Sequence, residues 1–219
     1  LVSLDLSHPE SPRILSTQSM DGFSPKLQSV GDRLLVATTS SSNYGTVQWM
    51  QSSTIFVFAP IRGMATIAEG FIPLIGTVFD KFKMSIVGDT VAVVTQGFDL
   101  AGVLRTWVET HPLTGTGTTA SARVEIAGAA GEALYATRFD GTRLYVVTFR
   151  RIDPLFVVDL ADPAHPQVSG ELQVPGYSTY LEPLGDRLLA VGVENQRVTA
   201  SLFDVHDLTA PTLLSRVAL

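Results

Sequence analysis

The four histidines are the first residues whose chemistry must be tested. His8, His111, His165 and His206 all fall in segments that read as the turn after the third strand of a repeat. Metal–nitrogen bonds of about 2.0–2.1 Å require ligands that converge on one point. Equivalent turns of different repeats lie apart, so the histidines are expected to be turn residues, and no metal or cofactor is assigned. Asp99, Asp153, Glu132 and Glu194 fall in connections where acids from separate repeats would flank a scissile bond. Paired carboxylates of this kind serve a hydrolase or lyase. The chain has no cysteine, no Gly-x-Ser-x-Gly, no His-Glu-x-x-His and no phosphate-binding Gly-rich loop. No catalytic residue is assigned on these grounds.

Asp5, Asp159 and Asp204 recur at one position of the repeat. A carboxylate there accepts backbone N–H groups and fixes the following turn, with calcium at Asp159 and Asp162 as the alternative. Large side chains suited to a ligand lie elsewhere. The segment Ser40–Ser53 reads as the longest loop and carries Tyr44, Trp49 and Met50. Exposed aromatics anchor interfaces, whereas ordinary core contact is their plainer role. Arg150, Arg151 and Asp153 are expected on the same face, as ligand contacts or as a structural ion pair. Tyr44, Trp49, Arg150, Arg151 and Asp153 are therefore the candidate ligand-binding residues.

These side chains must be positioned by a repeat. Val30-Gly31-Asp32-Arg33-Leu34-Leu35-Val36 returns as Val87-Gly88-Asp89-Thr90-Val91-Ala92-Val93, as Asp140-Gly141-Thr142-Arg143-Leu144-Tyr145-Val146, and as Leu184-Gly185-Asp186-Arg187-Leu188-Leu189-Ala190. Each copy is a tight hairpin turn leading into an apolar strand. A second unit, clearest in Val157-Val158-Asp159-Leu160-Ala161-Asp162-Pro163, is a strand followed by an Asx/Pro turn. Each repeat thus supplies four strands. Runs such as Leu144-Tyr145-Val146-Val147 are apolar on both faces, which requires a sheet packed between two others. The expected fold is all-β: a β-propeller of four-stranded antiparallel blades, about four plus a half blade, with a two-sheet sandwich as the rival. One domain spans 1–219, with a half blade at 1–17 and repeats near 20–72, 76–126, 132–174 and 177–219. Ala127–Ala136 is the best helical candidate, although Gly128 and Gly131 interrupt it.

Composition narrows the partners. Charged residues make up 16% of the chain and the net charge is −6, which argues against a nucleic-acid ligand. No run of apolar residues is long enough to span a membrane as a helix. The residue before Val2 is Leu1, not Met, so a processed or truncated chain is expected.

From Leu134 to Val193 the chain resembles a family of secreted or surface-attached prokaryotic proteins with a C-terminal β-propeller distantly related to WD repeats. The residues that carry the resemblance are Leu134-Tyr135-Ala136-Thr137-Arg138-Phe139, Leu144-Tyr145-Val146-Val147-Thr148-Phe149, Pro154-Leu155-Phe156-Val157-Val158-Asp159-Leu160, Gly170-Glu171-Leu172 and Pro175-Gly176-Tyr177. The resemblance implies a propeller and export, and supplies no catalytic residue. The combined expectation is a non-enzymatic binding or scaffolding module of the bacterial envelope or exterior. Its ligand would be a protein or polysaccharide, and its open edge would meet more of its own polypeptide or a second copy.

Overall fold

The computed structural model describes residues 1–44, 48–59, 67–113, 120, 122–149 and 153–219, with side chains described throughout these except at 42–44, 48–50, 67–68 and 153. The described residues form eighteen strands in four four-stranded antiparallel sheets and one two-stranded sheet. The two-stranded sheet pairs β1 (Val2–Asp5) with β2 (Arg13–Thr17). The first blade is β3 (Phe23–Val30), β4 (Arg33–Tyr44), β5 (Gln48–Ala59) and β6 (Ile67–Pro73). The second is β7 (Met84–Val87), β8 (Thr90–Phe98), β9 (Leu104–Pro112) and β10 (Ala122–Glu125). The third is β11 (Ala133–Asp140), β12 (Arg143–Phe149), β13 (Asp153–Asp159) and β14 (Gln167–Val174). The fourth is β15 (Tyr177–Leu184), β16 (Arg187–Glu194), β17 (Arg197–Asp204) and β18 (Thr212–Ala218). All strands within a blade are sequential neighbours. The Ala-rich segment is not helical beyond a single 3-10 turn at Ala127–Ala129.

The repeated turn sets the register. Gly31, Gly88, Gly141 and Gly185 all adopt φ between +57° and +67°. The residue after each has no positive φ, which is the φ pattern of a II′ hairpin. A second repeated device lies one residue before the recurring Asp position. The pairing of third with fourth strand shifts between Val57/Phe58, Val157/Val158 and Leu202/Phe203. The same shift occurs between Ser3/Leu4 in the two-stranded sheet, just before Asp5. The two strands thus pair with the same irregularity as the third and fourth strands of the first, third and fourth blades.

Period-two alternation sends successive side chains to opposite faces, and both faces are dry. On β12, Leu144 and Val146 pack with Ala92, Val94 and Val108 of the second blade. Their neighbours Tyr145 and Val147 pack with Leu181, Leu188 and Phe203 of the fourth. Leu35, Ile55 and Val57 of the first blade meet Val91 and Val93 of the second. Each such side chain contributes about 1.5–3 kcal/mol when withdrawn from water. The outward faces differ. Leu27 and Phe71 on the first blade, Val198 and Val217 on the fourth, and Leu4 and Ile14 on the two-stranded sheet are exposed.

Candidate functional site

The segment expected as a loop at Ser40–Ser53 is instead a ribbon of two long strands. Ser40 pairs with Ser52, and the ladder continues through Asn43 with Trp49 to Tyr44 with Gln48. β3 stops pairing at Thr39, and β6 stops at Thr54. Among the described residues, five residue pairs thus run on without a flanking strand, about 17 Å of ribbon at about 3.4 Å per residue. The β-branched Thr38 and Thr39 carry the strand outward, and the Ser and Gln that follow do not interrupt it. The side chains of Tyr44 and Trp49 lie outside the described residues. So do Arg150 and Arg151, while Asp153 opens β13 opposite Val174 with its side chain not described.

This ribbon leaves on the face that carries the connections from second to third and from fourth to first strand. The same face holds three rings from three elements, Tyr135 of β11, Phe149 of β12 and Tyr177 of β15. Their centroids are 5.7 Å apart for Tyr135–Phe149, 5.0 Å for Tyr135–Tyr177 and 5.1 Å for Phe149–Tyr177, in tilted and edge-on contacts. Aromatic rings favour such offsets over face-to-face stacking. Phe149 and Tyr177 line a groove of about 610 Å³ between the third and fourth blades, with Gln173, Asn195 and Gln196. Its floor needs Gly176, where a Cβ would stand 2.5 Å from the Val193 carbonyl oxygen. Tyr135 reaches a second recess with Tyr180 and Arg138. There Arg138 donates to Glu182 (3.0 Å), as does the Tyr180 hydroxyl (2.7 Å). Sequence reasoning missed the trio; what marks it is that all three rings sit at the strand ends of one face.

Three of the four acids considered for catalysis have structural partners, and the side chain of Asp153 lies outside the described residues. Asp99 accepts the backbone N–H groups of Ala101 and Val103 and the Arg105 Nε, each at 2.9 Å. The Val103 N–H, then Arg105, hold its carboxyl below the usual carboxylate range. Glu132 accepts from Thr148 Oγ1 at 2.6 Å, and Glu194 from Arg216 at 3.1 Å. The recurring aspartates close Asx turns: Asp5 to the Ser7 N–H (2.9 Å), Asp159 to Ala161 (2.8 Å) and Asp204 to His206 (3.0 Å). Among the described residues, no group of three His, Cys, Asp or Glu is arranged to hold a metal ion.

Three histidines occupy turns and pair with acids: His165 with Asp162 at 2.7 Å, His206 with Asp186 at 3.2 Å and His8 with Glu10 at 3.5 Å. His111 does not. It lies inside β9 opposite Val91 and is 2% exposed, because the Gly88 hairpin sets Thr90 against Pro112. Its Nε2 stands 3.6 Å from Glu109, a carboxylate buried beside it and bonded by Thr95 Oγ1 at 2.8 Å. Burial alone would raise the Glu109 pKa; His111, Thr95 and Arg123 together outweigh it and lower it. This buried pair faces the first blade and not the open face.

Radially repeated four-stranded blades define an open β-propeller. The chain belongs to the beta propeller domain family, whose model matches residues 32–219. It is 47% identical over 89 residues to an uncharacterized protein of Archaeoglobus fulgidus, a match covering 40% of this chain and 14% of that protein. An uncharacterized protein of Methanocaldococcus jannaschii is 47% identical over 83 residues, covering 37% of this chain and 13% of that one. The chain thus matches only a small part of the length of these relatives. Two single-residue variants of Synechocystis apocarotenoid oxygenase share the fold at 12% identity. Their TM-scores are 0.53 and 0.54, over 94% and 95% of this chain and 53% and 52% of theirs. That likeness is one of fold alone.

Proposed function

We propose that the chain is a non-enzymatic binding or scaffolding module of the prokaryotic cell exterior or envelope, which meets its ligand on the face bearing the β4–β5 ribbon and the aromatic trio. The observation that carries this reading is the ribbon. A hairpin joining two blade strands needs only 2–5 residues, yet here two strands continue past their neighbours and bring Tyr44 and Trp49 toward the tip. The bonded states of Asp99, Glu132 and Glu194 favour binding over carboxylate chemistry. The resemblance between Leu134 and Val193 supports export. The exposed apolar faces of the first and fourth blades suit more of the same polypeptide, since every blade face with a neighbour is dry.

The test is cosedimentation of the purified chain with an envelope fraction of the source organism. Replacing Tyr44 and Trp49 together by Ala should weaken retention by about 2 kcal/mol or more, as truncating interface anchors does, and leave the melting temperature unchanged. Retention that survives the double substitution overturns the ribbon as the contact. A double variant that unfolds returns both aromatics to a core role.

A further inference from the structure

We propose that the groove between the third and fourth blades binds a neutral oligosaccharide, with Phe149 and Tyr177 as stacking rings and the amides of Gln173, Asn195 and Gln196 as hydroxyl partners. The inference rests on the binding-module reading and names the ligand class of one site on that face.

Three properties of the groove select this chemistry. Its volume of about 610 Å³ lies within the range of roughly 300–1,000 Å³ typical of small-ligand sites. Its charge is balanced internally. Arg216 donates Nε to Ser201 Oγ at 2.8 Å and Nη1 to the Pro175 carbonyl at 2.7 Å and to Glu194 at 3.1 Å. Glu194 lines the groove already paired, so neither a cation nor an anion is favoured there. The remaining polar side chains of the lining are the Tyr177 hydroxyl and three amides, of which Gln173 also donates to Glu171 at 3.4 Å. A carboxamide both donates and accepts, which matches a hydroxyl that does the same. The rings supply the apolar counterpart, because a pyranose carries C–H faces as well as hydroxyls.

The geometry of the amide pair supports a built site. Asn195 and Gln196 form a two-residue turn with φ of +50° and +65°, both in the left-handed region. Glycine is the default choice for such a turn. Asn tolerates it and Gln does so poorly, yet both amides stand at the groove rim. The trio also extends the surface. Tyr135 contacts Phe149 and Tyr177 and enters the recess of Arg138 and Tyr180. A linear ligand of several sugar units would follow this path.

The experiment is calorimetric titration with neutral oligosaccharides derived from cellulose, chitin, amylose and mannan, beside oligogalacturonate and a proline-rich peptide. At least one neutral saccharide should bind. Tyr177→Ala should weaken it at least about tenfold, which is about 1.4 kcal/mol. Because Tyr177 also packs on two rings, a second variant removes the amides alone: Asn195→Gly with Gln196→Gly suits the turn and should weaken binding with no loss of melting temperature. Binding of none of the neutral saccharides, preference for oligogalacturonate or for the peptide, or unchanged affinity in the glycine variant overturns the proposal. Envelope retention without saccharide binding removes this ligand assignment and leaves the binding-module reading in place; loss of both removes both.

Discussion

The second and third blades have the same strand order, yet they are held together differently. At one position of the third strand the first blade has Phe56, the third Phe156 and the fourth Ser201, each fixed by its pairing to the second strand. The second blade has Glu109 there, opposite Val93. Thr95 and His111 are buried on the same face, and Gln96, Thr106 and Thr110 are buried on the opposite one, each group beside buried valines. Gln96 donates to Thr106 Oγ1 and to the Glu132 carbonyl, tying β8 to the start of the third blade. Thr110 Oγ1 donates to the Pro163 carbonyl of the third blade at 2.7 Å. The third blade does the same work with Val146, Phe156 and Val158. An apolar interface is tolerant of small shifts, whereas a hydrogen-bonded one admits few geometries. The second blade therefore acts as the register of the stack.

The largest effect that would break this comparison is expected from Phe156→Ala, a loss of about 3–5 kcal/mol in denaturant unfolding. A loss below about 1 kcal/mol would show that the third blade collapses around the cavity. Glu109→Ala should cost about 3 kcal/mol, because His111 and Arg123 lose their buried partner. Replacing Glu109 and His111 together with apolar residues should be near neutral, since well-packed apolar substitutes often match a buried pair. If the double variant is as damaged as the single one, the polar cluster is a requirement of the fold and not an exchangeable solution. Gly185→Ala should cost about 1 kcal/mol through its positive φ alone, since no atom lies within 4 Å of the added Cβ.

The smallest expected effects are those of pH. The folded-state pKa values of Asp5, Asp99, Asp162, Asp204 and Asp207 are lowered, as is that of Glu109. A lowered carboxyl contributes stability that is present above its unfolded value near 4 and is lost as pH falls through the folded value. The melting temperature should therefore hold down to about pH 5 and decline below about pH 4. Glu109→Gln should flatten that decline more than Asp204→Asn, because the Asp204 pair is solvent-exposed and screened.

The blades were legible because their signals are local. Gly31, Gly88, Gly141 and Gly185 each specify a turn without help from the rest of the chain, and Asp5, Asp159 and Asp204 each close one. His111 was misread because His111-Pro112 has the same letters as His165-Pro166. Its place depends on the register set by the Gly88 hairpin, which puts His111 level with Val158 and Phe203, inside the strand and not in the turn beyond it. The ribbon was misread because Ser, Asn and Gln are the composition of a loop. Strand pairing carried from Thr39 and Ser53 overrode that preference. The aromatic trio was hidden since Tyr135, Phe149 and Tyr177 come from three strands of two blades, and only the stacking of blades joins them.

The ribbon has a consequence for how the protein behaves in concentrated solution. Between Arg33 and Arg62 there is no charged residue, so the length that projects beyond its neighbours has no Lys or Glu to repel a foreign strand. Natural sheets protect open edges with such gatekeepers, with prolines or with coverage. In the sequence, Pro60 comes only after Ala59, the last residue of β5. The bare chain is thus prone to strand-on-strand aggregation through β4 and β5, and a single lysine introduced at Ser41, which is exposed, should raise its solubility.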